Sequence, residues 1–480
     1  MITTASEAVA AVDRLGRVLA ARLGEVRKRD DYYRGRHRLA YASTKWREFH
    51  AERYRDFSDN WCSVVANSPS ERLRVTGFKL DDSAAMSGEE QALWGHWQRN
   101  DADGQSSQGF LSSIVTGRSA VVVWDDGSGD GVPDMQWDST DQVVVAYDPA
   151  RPRRRTAALK TWRDDDAEHA TLYTPQALWK FSRPLGVTAA GLSVVRSWSA
   201  GGEWRPRDGE DDVWPLPNPL GVVPVVEFCN RPMLGGDPIS DIAGTIAMQD
   251  AINLLWAYLF NAADFASFPQ RVVMGQEPPK IPVLDENGQK VGEVPVDLKK
   301  LAQDRLLWLT GQNTSIGSWP AADLKAYTDI VEVAVGHVAA QTRTPQHYLI
   351  GKMANLSADA LRAAETGLVK KVEESQLFFG PAAREVFRLM ALVSGDDAAA
   401  AAAATGRVQW RDPESRSEAQ LVDALLKLQT IGFPFEWLAE RYGLGADELA
   451  RVVALRESDR VASAAATAQA FGVDGGAGPR

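Results

Sequence analysis

Histidine, cysteine and clustered carboxylates are the side chains that ligate metals or move protons, and this chain uses them sparsely. Its six histidines, at positions 37, 50, 96, 169, 337 and 347, share no ligand spacing with one another or with Cys62 and Cys229, so neither a metal site nor a disulfide framework is expected. The run Asp125–Gly131, DDGSGDG, sets Asp126, Ser128, Asp130 and Gly131 like the opening of a calcium loop. Its twelfth position, however, is Trp137 instead of a bidentate glutamate, and a β-hairpin turn is the better reading. Gly351-Lys352 is followed by Met353 and lacks the leading glycine of a phosphate-cradling loop. GxSxG and HExxH patterns are absent. The basic run Arg151–Arg155, RPRRR, has the guanidinium forks to touch phosphate, but beside Asp148 and Asp164–Asp166 a solvated loop is the plainer assignment. No catalytic residue and no cofactor is assigned, and the chain does not read as an enzyme.

The elements that carry these residues alternate between helical and strand patterns. Apolar residues recur at helical spacing from Ser6 to about Arg29, Gly35 breaks the pattern, and a second helical run follows from Ser43 to Val65. Short β-rich runs, such as Ala120–Trp124, Gln142–Tyr147 and Val222–Phe228, fill the stretch from Leu73 to Phe228. With the leading helices they make an α+β domain. The segment Asp237–Phe265 reads as the most continuous helix, with Ile239, Ile242, Ile246 and Trp256 on one broad apolar face and Met248, Ile252, Leu255 and Leu259 on another. A helix apolar on two faces needs neighbours on both, either at a domain centre or between subunits.

Strands and turns return over residues 271–320, with DENG at Asp285–Gly288 as a hairpin tip. Asp323–Gln341 is amphipathic: Leu324, Tyr327, Val331, Val335 and Val338 form one stripe, and Lys325, Asp329, Glu332 and Gly336 another. A non-helical link, Thr342–Asn355, precedes a long helix from about Ala358 to Val393, which Gly380-Pro381 should kink. An alanine run at Ala398–Ala404 that is either helix tail or flexible linker, three short helices (Glu418–Thr430, Pro434–Arg441, Ala446–Glu457) and a tail expected to be disordered complete the chain.

A chain of 480 residues exceeds one core and implies several units. The longest apolar stretch, Ile239–Phe260, is interrupted by Asp241, Gln249, Asp250 and Asn253, so no membrane helix is expected. The N-terminal residues read as an amphipathic helix, not a signal peptide, which implies synthesis and retention in a cytoplasm. A net charge of -11 argues against a protein that grips nucleic acid through neutralised phosphates, and permits a surface that repels DNA.

Several stretches, in order, are similar to one family: YYRGRHRLAYAS at Tyr32–Ser43, FSDNWC at Phe57–Cys62, LRVTGF at Leu73–Phe78, PVVEFCNRP at Pro224–Pro232, GGDPISDIAGTIAMQDAINLL at Gly235–Leu255, FASFPQRVVMG at Phe265–Gly275 and NLSADALRAAETGLVKKVEE from Asn355. Over residues 25–460 the chain resembles the portal proteins of siphophages, especially those of actinobacteria. The resemblance implies a multi-region α+β portal fold, with wing, stem, clip and crown assembled into a ring, usually of twelve. Residues 1–235 and the helix 358–394 correspond to the wing, 236–269 and 323–342 to the two stem helices, 270–322 to the clip, 343–357 to the tunnel loop and 407–463 to the crown. The segment 395–406 corresponds to a linker, and 464–480 to a tail.

On that resemblance, Arg343, Thr344, Gln346, His347, Tyr348, Lys352 and Asn355 line the DNA channel. Ile242, Ile246, Ile252, Leu255, Trp256, Val331 and Val335 pack between subunits. Glu277, Lys280, Asp285, Glu286 and Lys290 dock partners. The tunnel loop carries cations and no acid before Asp359; these either touch phosphate transiently or, the favoured reading, pair with carboxylates of a neighbour. The implied partners are further copies of the chain, the terminase large subunit, a head-completion adaptor, major capsid and scaffolding proteins, and double-stranded DNA without sequence preference; no membrane is involved. The protein would be made in the host cytoplasm and reside at the portal vertex of the virion. The alternative is another virion structural protein, such as a minor head or tail component; an envelope hydrolase would need a catalytic site, which the residues do not supply.

Overall fold

The computed structural model describes residues 2–36, 41–44, 48, 57–81, 86–185, 202–207, 213–267, 271–274, 280–284, 288–295, 306–309, 323–351, 358–414 and 418–470. The chain divides into two compact units. One comprises Met1–Arg36, Asn60–Ile246 and Ala339–Arg480, and the other His37–Asp59 and Ala247–Val338.

In the first unit, helix α1 (Ala5–Tyr33) starts at a capping box in which the Thr4 hydroxyl accepts the Glu7 amide (3.3 Å) and the Glu7 carboxylate accepts the Thr4 amide (3.1 Å). It is followed by α2 (Trp61–Ser70), β1 (Val75–Lys79), α3 (Gly88–Arg99), α4 (Ala102–Thr116), β2 (Arg118–Asp125), β3 (Pro133–Asp138), β4 (Val143–Asp148), β5 (Arg151–Arg163), β6 (Ala167–Tyr173), β7 (Ala177–Pro184), β8 (Arg205–Pro206), β9 (Leu216–Pro217) and β10 (Val225–Cys229). Strands β4 to β8 form an antiparallel meander, with β9 also paired to β7. Side chains alternate along strands, so the meander is covered on both faces. Val144, Leu159, Leu172 and Trp179 meet Ala8, Val12, Leu15 and Leu19 of α1, while Val143, Val145, Ala158 and Tyr173 meet Ala120, Val122, Val223 and Val225.

A second sheet, in the order β10-β2-β3, is also antiparallel. The DDGSGDG run forms the β2–β3 turn, where the Asp125 and Asp126 carboxylates accept the Gly127 and Ser128 amides (both 2.8 Å). The chain returns to this unit through α7 (Gln346–Ile350), α8 (Ala358–Val393), α9 (Asp397–Ala403), β15 (Arg407–Trp410), α10 (Glu418–Thr430), α11 (Phe435–Tyr442) and α12 (Ala446–Ala470). Strand β15 pairs antiparallel with β1, more than 300 residues earlier. An aromatic core joins the two stretches: Phe110 stacks on Phe379 (5.3 Å) and lies 5.6 Å from Trp410, while Phe387 stacks on Phe78 (4.2 Å) and Trp97 (5.2 Å).

The second unit contains most of α5 (Ile246–Ser267) and α6 (Leu324–Thr342), with β11 (Arg271–Met274) parallel to β14 (Leu306–Leu309), and β12 (Lys280–Leu284) antiparallel to β13 (Lys290–Pro295). Asp59 grips α5 at three points. Its amide donates to Asn253 Oδ1 (3.1 Å), its carboxylate accepts the Trp256 indole N–H (2.7 Å), and its carbonyl accepts from Gln249.

Four expectations are corrected. The helix placed from Asp237 starts only at Ile246. Pro238 lacks an amide proton, the Ser240 hydroxyl donates to the Val115 carbonyl (2.6 Å), and Asn230 donates to the Ile239 carbonyl (2.8 Å), so this backbone is held in turns before the helix begins. The run from Ser43 to Val65 is non-helical at residues 57–60, where Asn60 caps α2 by accepting the Ser63 amide (3.3 Å); most of it lies outside the described residues. The alanine run is the helix α9, capped by Asp396 accepting the Ala399 amide (2.8 Å) and burying Ala399, Ala400 and Ala403; alanine is the strongest helix former. Helix α12 continues to Ala470, beyond the expected end, and 471–480 lie outside the described residues.

Close packing in the aromatic core yields a test. A Cβ on Gly109 would stand 1.9 Å from Trp137 Cε3. Gly109→Ala is therefore expected to cost about 1–3 kcal/mol by overpacking, read as a lowered denaturation midpoint; an unchanged midpoint would show that Trp137 has room to move.

Candidate functional site

The segment 342–351 holds most of the expected channel-lining residues, and helix α6 delivers it. The end of α6 is a left-handed cap. Arg343 adopts φ +55° and the Thr344 amide donates to the Ala339 carbonyl (3.1 Å), the six-residue closure normally made with glycine at the left-handed position. Pro345 then bars continuation. A side chain in this conformation costs on the order of 1–3 kcal/mol and persists where surroundings over-determine it.

The surroundings do so through α8. Lys371 Nζ donates to the Thr342 carbonyl (3.2 Å) and ion-pairs with Asp241 (2.7 Å), both side chains being 1% exposed. Asp241 also accepts from Asn230 (2.9 Å) and lies 3.5 Å from Arg231 Nε. Burial pulls the Lys371 ammonium below its usual range, and Asp241 opposes that pull. Further along, Arg343 pairs with Glu374 (3.2 Å), His347 Nε2 lies 4.0 Å from Glu365, and the Tyr348 hydroxyl donates to Glu365 (2.9 Å) and accepts from Arg72 (2.7 Å). Arg72 itself pairs with Glu365 (3.2 Å).

The expected site residues therefore divide. Arg343, Gln346 and Tyr348 are exposed, His347 is half-buried, and Thr344 is buried with its hydroxyl accepting that of Thr342 (2.9 Å). Arg343 and His347 meet carboxylates of the chain's own α8, whereas the expectation left them to phosphate or, as the favoured reading, to a neighbour's carboxylates. The link is not wholly irregular, since Gln346–Ile350 is helical. Lys352 and Asn355 lie outside the described residues.

Of the positions expected between subunits, Ile242, Ile246, Ile252, Val331 and Val335 are buried within the single chain, and Leu255 and Trp256 are half-buried. Ile242 lies ahead of α5, in the turns. Among the described residues, the large apolar side chains that remain exposed on these helices are Tyr258, Ile330 and Val333, at 36%, 53% and 59% exposure. Lys280 and Lys290 are exposed on the β12–β13 hairpin, where Lys290 pairs with Glu293; Glu277, Asp285 and Glu286 lie outside the described residues.

Sequence reasoning passed over Lys371, Asp241, Glu365, Glu374 and Arg72. Lys371 left one signal: it stands beside Leu368 and Val372 on the buried stripe of α8, where a charge requires a buried partner. Among the described residues, no group of three or more His, Cys, Asp or Glu could hold a metal ion, and no helix is long and apolar enough to cross a membrane.

Residues 15–443 match the family model described as "Phage portal protein, SPP1 Gp6-like". The chain belongs to this family of phage portal proteins and is a virion structural protein. It is 30% identical over 385 residues to the portal proteins of Mycobacterium phage L5 and Mycobacterium phage D29, in each case across 76% of this chain and 71% of the relative. Among solved structures, a chain of "Virion of native gene transfer agent (GTA) particle" aligns with TM-score 0.34 at 10% identity, over 78% of this chain and 85% of that one, a likeness too slight to carry an argument.

Lys371→Met should leave Asp241 buried without its ammonium, at a cost of about 3–5 kcal/mol. Chemical denaturation reads the loss. Amide exchange at Thr344 should quicken along with it, and a stable variant with unaltered exchange would show that the buried pair does not hold the segment.

Proposed function

We propose that copies of this chain close into a ring, usually of twelve, whose axial channel passes double-stranded DNA into the head during packaging and out of it at ejection. The observation that carries the reading is the span of the family match, residues 15–443, which takes in α5 and α6, the strands between them and the 343–351 segment. Repeated heterologous contacts close on themselves in such a ring. In this reading the exposed Tyr258, Ile330 and Val333 face the next copy, because apolar groups left uncovered by their own chain gain most from a partner. The residues between α5 and α6 dock the terminase motor and later the head-completion adaptor. Capsid and scaffolding proteins surround the ring at one vertex.

The 343–351 segment borders DNA. Among the described residues of the segment, Arg343 and His347 already have carboxylate partners, so these present little unpaired positive charge. Phosphate contacts dominate affinity for DNA, and a lining short of free cations lets the duplex slide. ATP hydrolysis belongs to the motor.

Native mass spectrometry with negative-stain microscopy tests assembly. Twelve copies of the 52.4 kDa chain give a particle of about 630 kDa with an axial hole. Monomers that stay monomeric in the presence of shell and scaffold would count against the ring, and particles carrying the protein away from the head vertex would favour a minor component. Ile330→Asp with Val333→Asp should shift the population from rings to monomers, whereas rings of wild-type abundance would remove these residues from the interface. Arg343→Glu should lower packaged DNA by roughly twofold or more while rings persist; loss of the ring would instead make Arg343 an assembly residue.

A further inference from the structure

The basic run RPRRR is not a solvated loop. It opens strand β5, and its pairing with β4 is interrupted there. Ala146 faces Ala157, Tyr147 faces Arg155 and Asp148 faces Arg151, so residues 152–154 have no partner across the ladder. This is a bulge of three residues, a device that re-aims side chains and clusters at functional places. Pro152 suits it, having no amide proton to leave unpaired.

Arg151, Pro152, Arg153 and Arg154 are all exposed. Behind them the bulge is anchored. Arg155 donates to the Val225 carbonyl (3.1 Å) and pairs with Glu385, which Arg388 holds in turn (2.7 Å). Burial raises the Glu385 carboxyl, but Arg388 and Arg155 more than reverse it, so the anchor stays charged.

Among the described residues, no carboxylate lies within ion-pair distance of Arg151, Arg153 or Arg154. Asp148, across the ladder from Arg151, directs one oxygen to the Ala150 amide (2.9 Å). Elsewhere exposed cations do have acidic partners, as in Arg34–Asp30, Lys370–Glu373, Lys427–Asp423 and Arg460–Glu457. Three guanidinium groups side by side repel one another, and an anionic ligand relieves that repulsion. The bulge contains no aromatic or large aliphatic side chain that would anchor a protein interface, and Tyr147 beside it donates its hydroxyl to Glu227 (3.2 Å). Arginine forks match phosphate oxygens in bidentate fashion.

We propose that the Arg151–Arg154 bulge binds the phosphate backbone of double-stranded DNA, without sequence preference, as a contact separate from the 343–351 segment. It rests on the reading that this protein handles DNA, and it supplies a place that holds DNA on a molecule whose net charge of -11 otherwise repels it.

The test uses the full chain in its assembled state and a short random-sequence duplex, with anisotropy measured between about 50 and 200 mM salt. Wild type should bind. The triple variant R151Q/R153Q/R154Q should bind at least about tenfold more weakly at the low-salt end, with a log–log salt slope shallower by about 2.7 for three lost contacts. The triple lysine variant should keep most of the slope, and melting temperatures equal to wild type should confirm the fold of both.

No saturable wild-type binding, an unchanged slope in the glutamine variant, or preference for an acidic peptide of matched charge over the duplex would each overturn the proposal. Native mass spectrometry on the same samples separates it from the ring reading. A ring that binds DNA independently of the bulge sinks only the bulge contact, and bulge-dependent binding by a chain that never forms a ring sinks only the ring.

Discussion

An ammonium group stripped of water must be given partners by the fold, and Lys371 receives them from two distant stretches of chain. The Asp241 carboxylate comes from the turns after β10, and the Thr342 carbonyl from the end of α6. Neither charge could stay buried without the other, so α8, the 230–245 turns and the α6 terminus are fixed together. That fixation is what allows Arg343 to hold a left-handed conformation that glycine normally occupies. Glu365 and Glu374, further along α8, then take up His347, Tyr348 and Arg343. Local strain at the candidate channel segment is thus offset from one helix.

The same helix completes the core of the first unit. Phe379 and Phe387 supply the rings on which Phe110, Phe78 and Trp97 stack, and aromatic pairs of this kind contribute about 0.5–1.5 kcal/mol each beyond burial. Pro381 lies within α8 without ending it. Ala383, Val386, Phe387 and Met390 beyond it are fully buried, so packing keeps the helical course where local preference opposes it.

The residues show why some of this was legible and some was not. One-sided burial imposes a 3.6-residue period, so the stripe of Val331, Val335 and Val338 in α6 and that of Leu368, Val372, Phe379 and Val386 in α8 could be read directly, and all of these are buried. The start of α5 misled because Ile239 and Ile242 continue that period while side-chain hydrogen bonds from Ser240 and Asn230 claim the backbone. The proposed channel segment was suggested only by family resemblance, and its supports were hidden. Glu365, Glu374 and Arg72 lie well away in sequence, and nothing local announces that they converge. The RPRRR run looked like a loop because a bulge carries no periodic signal, only a loss of register with a strand the sequence does not name.

Because the first unit is assembled from three separated pieces of chain, its core has a history. Phe78, Trp97, Phe110, Trp137 and Phe228 all emerge from the ribosome well before Phe379, Phe387 and Trp410. At roughly 5–20 residues per second, the interval between Phe228 and Phe379 lasts on the order of 8–30 s. During it those aromatic side chains lack their α8 partners, while most of the second unit is synthesised in between. Synthesis therefore sets a timer on this protein: apolar surface exposed in that interval is prone to association, and it is covered only once the helix that also locks the segment bordering the proposed channel has been made.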